Sequence, residues 1–292
     1  MKDIFCFTDI HGRWDLYQTI INYCKKQDPE CSIIYLGDAC DRGPDGYRIM
    51  KNLLADPHVG YLKGNHENIF VNAAREIKEN FQFPDISNRE HLKKRILTAN
   101  KFPFGYEKIK LCVYNDGLDS LLDWIQDGQP MDFIEQLDNL PLTFSYNKYD
   151  FCHAGSSYAQ FKKVAEIEYN GGEPTWNEQC PLLWDRKNFD IGWTAGRICI
   201  HGHTPTPFMP TKYYGRDKSE KNAHPCAWIG DFDNKYSGLK LNIDTGATFT
   251  GRAYVINILT QQITGFFDPK IINQQGEIYN LGSYYLKEKE NE

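Results

Sequence analysis

Short apolar runs alternate with amphipathic stretches through the first 80 residues of the chain. The apolar runs predict three strands, in DIFCFTD (3–9), SIIYLGD (32–38) and VGYLKGN (59–65). Apolar side chains at helical spacing predict three helices, over 14–27, 45–56 and 66–80. This β-α-β-α-β-α order predicts a layered α/β domain with a largely parallel core sheet.

The rest of the chain predicts a helical stretch followed by a β-rich half. Residues 81–140 carry helical patterns, and strand-like runs return at 142–146, 149–153, 196–201, 239–244, 252–259 and 262–267. Two segments stand apart: a polar and aromatic insertion at about 208–238 and a charged tail at about 286–292. No internal repeat or linker interrupts the pattern, so a single domain over 1–292 is expected.

Polar, glycine-containing clusters follow several of the predicted strands. They are Asp9-Ile10-His11-Gly12, Gly37 to Gly43, Gly64 to Glu67, Cys152 to Gly155, and the stretch ICIHGHTPTP at 198–207. These clusters hold five of the eight histidines. Open α/β sheets place their sites at the carboxyl ends of strands, and glycine there permits sharp turns and leaves room for a ligand. A common site at this edge is therefore expected.

Asp, Asn and His together offer the oxygen and nitrogen ligands that suit Mn²⁺, iron or Zn²⁺. Asp9 and His11 are two residues apart, so on an extended segment both would reach a single ion. His201 and His203 have the same spacing. Spacing alone does not decide which of these two histidines binds.

Composition narrows the classes of function. The net charge of -6 argues against a protein built to bind nucleic acid or an anionic membrane, and no apolar run approaches the roughly 20 residues of a membrane span. The N-terminus lacks a signal-peptide pattern. Nine cysteines without a CxxC pair are interpreted as small hydrophobes in a reducing cytoplasm. P-loop and GxGxxG patterns are absent.

The ordered series DIHG, GDACDRG, GNHE, CHAG and GHTP, with LLWDR (182–186) and NIDTGA (242–247), resembles the phosphoprotein phosphatase branch of the calcineurin-like metallophosphoesterases. Bacterial and phage serine/threonine phosphatases and symmetrical diadenosine tetraphosphatases look like this. The resemblance implies a sandwich of two mixed β-sheets flanked by helices, and a site for two divalent metal ions. Mn²⁺ is favoured, with iron or zinc as alternatives.

The resemblance also implies which residues bind the ions. The first metal would be held by Asp9, His11 and Asp38. The second would be held by Asp38, Asn65, His153 and His203, with Asp38 bridging. The ligand is the histidine after the glycine, which is His203, so His201 is expected to pack in the core or to support a metal ligand without binding the metal. A hydroxide bridging the two ions would attack the phosphate directly.

Other residues would handle the substrate. Arg42, Arg186 and Asn65 would bind its phosphate, because a guanidinium fork matches phosphate oxygens. His66 would protonate the leaving group, with Asp41 orienting it and raising its pKa. Many phosphodiesterases of the superfamily carry a second histidine where this chain has Pro205, which favours the phosphatase branch.

The leading hypothesis is hydrolysis of phosphate monoesters, above all phosphoserine and phosphothreonine in proteins. One alternative is hydrolysis of diadenosine tetraphosphate or another nucleotide, since the metals contact only phosphate. The other is a decayed phosphoesterase kept as a binding scaffold. The aromatic and basic stretches 101–108 and 211–218, the latter with Tyr213 and Tyr214, are weak candidates for the cleft border.

Overall fold

The structure is a computed structural model of the 292-residue chain. It describes residues 2–80, 89–98, 107–186, 193–209, 227–229, 238–267 and 280–281. The stretch 211–218 with Tyr213 and Tyr214, most of 101–108, most of the 208–238 insertion and the tail lie outside the described residues.

The first sheet has six strands in the order β11-β10-β9-β1-β2-β3. Strands β1 (Ile4–Phe7), β2 (Ser32–Tyr35) and β3 (Val59–Tyr61) run parallel, as the alternating pattern predicts. Strands β9 (Arg252–Asn257), β10 (Gln262–Phe267) and β11 (Asn280–Leu281) are added antiparallel beside β1. The sheet is therefore mixed, and its parallel half comes from the first 61 residues.

The second sheet has five strands in the order β4-β5-β6-β8-β7. Its strands are β4 (Thr143–Tyr146), β5 (Tyr149–Cys152), β6 (Ile198–His201), β7 (Ala227–Ile229) and β8 (Leu239–Asn242). The central pairs β5–β6 and β6–β8 are parallel, and the outer pairs are antiparallel. The carboxyl ends of β5 and β6 therefore lie at one edge of this sheet.

Ten helices are found in the described part of the chain. They are α1 (Trp14–Gln27), α2 (Gly46–Ala55), α3 (Asn65–Asn80), α4 (Arg89–Thr98), α5 (Glu107–Tyr114), α6 (Leu118–Gln126), α7 (Met131–Asp138), α8 (Tyr158–Tyr169), α9 (Trp176–Trp184) and α10 (Ala247–Thr250). None of these helices is long and apolar enough to cross a membrane.

Three apolar clusters define the layers. On β1, Phe5 and Phe7 pack with the helices, whereas Cys6 between them packs with β5, β6 and β8. This alternation follows the two-residue period of a strand. A third cluster joins the second sheet to α8 and α9. The layers are thus helix, sheet, sheet, helix, and the predicted α/β sandwich of two mixed sheets is confirmed.

Candidate metal centre

The six predicted metal ligands come together at the strand ends. Asp9 and His11 follow β1, Asp38 follows β2, Asn65 begins α3 after β3, His153 follows β5 and His203 follows β6. All six are buried, with at most 2% of each residue exposed. Residues separated by up to 194 positions in the chain thus share one small volume.

The six side chains form a closed ring of contacts. Asp9 Oδ1 lies 4.0 Å from His11 Nε2, and His11 Nε2 lies 3.7 Å from Asp38 Oδ2. His153 Nε2 lies 3.4 Å from Asp38 Oδ2 and 2.9 Å from Asn65 Oδ1. Asn65 Oδ1 is 2.8 Å from His203 Nδ1, and the His203 backbone N–H donates to Asp9 Oδ2 at 3.2 Å.

Two groups of side chains at the site have the spacing of metal ligands. One contains His11, Asp38 and His66, and the other contains Asp38, His153 and His203, with ligand atoms within 4.8 Å of one another in each. His66 is not one of the six predicted ligands, and the predicted ligand Asp9 is in neither group. Asp38 belongs to both groups. The residues that hold an ion also require an atom that no hydrogen bond occupies. Among the six predicted ligands, Asp9 Oδ1, His11 Nε2 and His203 Nε2 are buried without a hydrogen-bond partner, which fits a metal-binding site.

Backbone carbonyls set the orientation of two imidazole rings. His11 Nδ1 lies 2.8 Å from the Cys40 carbonyl, and His153 Nδ1 lies 2.9 Å from the Leu36 carbonyl. With Nδ1–H donated to a carbonyl, the Nε2 lone pair of His11 faces the shared volume, whereas His153 Nε2 donates to Asn65 Oδ1 at 2.9 Å. The loop that follows β2 therefore sets the orientation of both rings.

The pKa values reflect the crowding of charges. Burial raises the pKa of Asp38, but His153 and His66 outweigh it and hold that pKa well below its usual range. Burial lowers the pKa of His153, but Asp38 and Asp9 outweigh it and raise that pKa to about 10. Burial lowers the pKa of His11 and of His203 well below 6.5. The Asp38 carboxylate and a protonated His153 therefore form an ion pair at the centre, and His11 and His203 are neutral.

His201 and His203, the two histidines of ICIHGHTPTP, lie in different surroundings. His201 is the last residue of β6, and a Cβ on Gly155 would lie 2.4 Å from its ring. Burial and the nearby Lys240 lower the pKa of His201 to about 3. His203 adopts φ 71° after the strand ends, so its side chain turns into the ring of ligands. The structure places His203, and not His201, among the predicted ligands.

Asp9 and His11 reach each other in a different way from the one predicted. Strand β1 ends at Phe7, and both residues have left-handed backbone, with φ 55° and 47°. The expectation that they share one face of an extended segment is therefore wrong. Ten described non-glycine residues have positive φ, and six of them belong to the predicted site: Asp9, His11, Asp38, Asp41, Arg42 and His203. Such strain is typical of functional sites.

The space beside two motif glycines is filled by the protein, whereas the sequence predicted it to be open for a ligand. A Cβ on Gly12 would lie 2.4 Å from the Gly43 carbonyl oxygen, and one on Gly202 would lie 2.1 Å from Asp9 Oδ2. These glycines allow neighbouring loops and a carboxylate to approach closely, and the space beside them is filled by the protein. The prediction that they leave room for a ligand is wrong at these two positions.

His66 and Asp41 form the predicted pair. His66 Nδ1 lies 2.7 Å from Asp41 Oδ2, and both side chains are buried. Burial lowers the pKa of His66, but Asp38 and then the hydrogen bond to Asp41 outweigh it and raise that pKa above 6.5. Asp38 therefore contributes to this shift beside Asp41, which the sequence did not indicate.

The two predicted phosphate-binding arginines lie on different sides of the candidate metal site. Arg42 Nη2 is 3.2 Å from His66 Nε2. Arg186 is exposed, and its charge contributes to lowering the pKa of His203, which places it on the side of the second group. Trp184 contacts the His203 ring edge-on, with 6.2 Å between the centroids.

Glu67 is a site residue to which the sequence assigned no role. Its buried carboxylate accepts four hydrogen bonds: from the backbone N–H groups of Asp38 and Gly64 at 2.8 Å, from that of Ala39 at 2.7 Å, and from the Tyr61 hydroxyl at 2.8 Å. Glu67 thus ties the loop after β2 to the loop after β3. Glu67 is the last residue of the GNHE motif, but only the fold shows which groups donate hydrogen bonds to its carboxylate.

Substituting Glu67→Gln is expected to weaken Mn²⁺ binding about 10–100-fold, the usual cost of losing a residue that supports metal ligands. Glutamine would turn an NH₂ group toward backbone donors, so the Asp38 loop would shift. Isothermal titration with Mn²⁺ measures the effect. Glu76→Gln is the matched control, because Glu76 is also largely buried but accepts from the Ile109 backbone on α5. Equal Mn²⁺ affinity in Glu67→Gln and wild type would contradict this role.

Comparison with known proteins places the chain in a family. The family model for calcineurin-like phosphoesterases matches residues 2–228, so the chain belongs to the calcineurin-like phosphoesterase family. Members of this family depend on a dinuclear metal centre, which agrees with the two buried groups that share Asp38. The predicted family membership is confirmed.

Several solved structures are similar to the chain at low sequence identity. A candidate diadenosine tetraphosphatase is 12% identical, with 91% of this chain and 93% of that chain covered and a TM-score of 0.48. A metallophosphoesterase from Sphaerobacter thermophilus is 12% identical, with 91% and 87% covered and a TM-score of 0.43. A protein serine/threonine phosphatase from Saccharomyces cerevisiae is 13% identical, with 82% and 79% covered and a TM-score of 0.39. No curated protein matches the chain significantly.

Proposed function

We propose that this protein is a metal-dependent phosphomonoesterase that removes phosphate from phosphoserine and phosphothreonine in proteins. One observation carries the proposal. Asp38 is shared by two buried groups with the spacing of metal ligands, and His66, which belongs to one of these groups, is hydrogen-bonded to Asp41 and contacts Arg42. We assign Asp9, His11 and Asp38 to one ion and Asp38, Asn65, His153 and His203 to the other.

The ligand set suits a phosphate substrate. Two bound divalent ions supply an activated water and positive charge for the phosphoryl oxygens. Asp9 and Asp38 are the only carboxylates among the six assigned ligands, and Asn65, His153 and His203 are neutral when they bind a metal. Few carboxylates leave net positive charge at the site, which favours a dianionic phosphate.

His66 and Arg42 provide the remaining chemistry. The hydrogen bond between His66 Nδ1 and Asp41 and the raised pKa of His66 favour a ring that can carry a second proton on Nε2. In the structure Nε2 accepts from Arg42 Nη2 at 3.2 Å, because a guanidinium only donates, so we propose that a substrate oxygen replaces this contact and lies within reach of both nitrogens. A substrate oxygen there would accept both hydrogen bonds, and His66 would deliver its proton to that oxygen as the ester bond breaks.

The order of residues after Asp38 favours the phosphatase branch of the family. Asp41, Arg42 and Gly43 follow Asp38 and supply the partner of His66 and the phosphate-binding guanidinium. Pro205 stands where many phosphodiesterases of the superfamily have a further histidine. It begins a 3-10 turn at Thr206–Phe208, and the backbone N–H of Thr206 donates to the Asp244 carbonyl at 2.8 Å. A cytoplasmic location and Mn²⁺ as the metal are part of the proposal.

A substrate panel tests the proposed function. The Mn²⁺-loaded chain is assayed on phosphoserine and phosphothreonine peptides, on p-nitrophenyl phosphate and on diadenosine tetraphosphate, with and without chelator. We expect metal-dependent release of inorganic phosphate from the peptides. A large preference for diadenosine tetraphosphate would favour the nucleotide alternative, and inactivity on every substrate with two ions bound would favour a binding scaffold.

A further inference from the structure

A large aromatic side chain is exposed beside the candidate site. Phe249 is 57% exposed, although it is followed directly by the buried strand β9. It lies on α10, a single helical turn between Gly246 and Gly251, which both have left-handed backbone with φ 68° and 65°. The Thr250 and Gly251 N–H groups close this turn on Gly246 and Ala247 at 2.9 Å. A tight, hydrogen-bonded turn therefore presents the ring.

Two contacts tie this ring to the catalytic residues. The guanidinium carbon of Arg42 lies 5.5 Å from the centre of the Phe249 ring, and Arg42 Nη2 lies 3.2 Å from His66 Nε2. Arg42 therefore bridges the exposed ring and the proposed proton donor. At the other end of the turn, Gly246 packs closely against Pro205, which lies in the loop that carries His203. A Cβ added to Gly246 would lie only 3.2 Å from the Pro205 side chain.

The position of the Phe249 ring indicates which part of a substrate it would contact. A group attached to the oxygen that His66 protonates would leave the site next to Arg42, and Phe249 is the exposed apolar side chain that Arg42 contacts. Aromatic rings pair with other flat rings through stacked or edge-on contacts. A short aliphatic leaving group, such as the serine side chain, offers no flat face to such a ring.

We propose that Phe249 is a specificity-determining residue that binds an aromatic ring esterified to the scissile phosphate, so that the site accepts aryl phosphomonoesters in addition to phosphoserine and phosphothreonine and binds the aryl esters more tightly. This inference rests on the proposed phosphomonoesterase function. In the reaction the oxygen of water bonds to phosphorus and the bond from phosphorus to the aryl oxygen breaks. One proton of the water balances the departing aryl oxide, and the products are a phenol and inorganic phosphate.

Binding of non-hydrolysable phosphonates tests the proposal without turnover. Phenylphosphonate and methylphosphonate carry the same phosphonate group and differ in the ring. Each is titrated calorimetrically into the Mn²⁺-loaded wild-type chain and into Phe249→Ala, Phe249→Trp and Phe144→Ala. Phe144 is the matched control, a 44% exposed phenylalanine on β4 in the second sheet.

We expect Phe249→Ala to weaken phenylphosphonate binding about five- to tenfold, as for loss of one aromatic contact. Methylphosphonate binding should change by less than about twofold. Phe249→Trp should restore the preference for phenylphosphonate, and Phe144→Ala should bind like wild type. Equal losses for both phosphonates in Phe249→Ala, or no loss for either, would overturn the proposal.

A kinetic comparison separates this inference from the proposed function. In Phe249→Ala, KM should rise for p-nitrophenyl phosphate and stay unchanged for O-phosphoserine. A wild-type chain that binds Mn²⁺ and both phosphonates but hydrolyses neither ester would refute the phosphomonoesterase. The phosphonate titrations would still decide whether Phe249 binds the ring.

Discussion

Substituting Asp38→Asn is expected to lower kcat/KM on a phosphoserine peptide by about 10³-fold or more, since several kcal/mol of metal-derived stabilisation would be lost. Asp38 is the one residue in both groups of metal ligands, so the substitution removes the negative charge that the two ions would share. The fold should persist, because asparagine keeps the oxygen that accepts the His66 backbone N–H at 3.0 Å. Steady-state kinetics at saturating Mn²⁺, with circular dichroism, measure the two effects.

The control for Asp38 is a carboxylate away from the site. Asp56 forms an ion pair with Lys25 at 2.8 Å at the surface, so Asp56→Asn should keep wild-type activity. If Asp38→Asn retains turnover near that of wild type, Asp38 does not bridge two ions. A protein that fails to fold would show this in its circular dichroism spectrum, and Asp38→Glu then serves as the second variant, with its carboxylate retained but displaced.

Substituting His66→Gln is expected to lower kcat on the phosphoserine peptide by about 10²–10⁴-fold, the usual contribution of a general acid. On p-nitrophenyl phosphate the loss should be less than about tenfold, because nitrophenolate departs without a proton. Only loss of a proton donor produces this difference between the two substrates. Kinetics on both esters, with metal content measured on the same samples, provide the test.

Metal content matters here because His66 also belongs to the group that contains His11 and Asp38. If His66 were itself a ligand, His66→Gln would lose an ion, and activity on both substrates would fall together. That result would contradict the proton-donor role. His58→Gln, at an exposed position before β3, is the control and should match wild type on both esters.

Periodicity predicts the elements that pack one apolar face against the core. Helix α1 spans the predicted residues 14–27, and α2 and α3 agree with their predictions to within one residue at each end. Helices α8 and α9 were not predicted. Each buries only two side chains, Phe161 and Val164 in α8 and Leu182 and Leu183 in α9, so neither shows a clear apolar period.

The site was predictable in its members but not in its geometry. Asp, Asn and His clusters after strands, with the resemblance, gave six proposed ligands, and the structure brings these six residues together. The left-handed backbone at Asp9 and His11 could not be predicted, because contacts of the loop after β1 with that after β2 impose it. Glu67 and Phe249 likewise make tertiary contacts with residues distant in the chain, and local sequence does not show such contacts.

The pair of metal ions is tested most directly by crystals of the chain grown with Mn²⁺ and measured at a wavelength where manganese scatters anomalously. We expect two anomalous peaks about 3.5–4 Å apart, with Asp38 between them, His11 beside one and His153 and His203 beside the other. A single peak, or two peaks away from Asp38, would contradict the shared-ligand site.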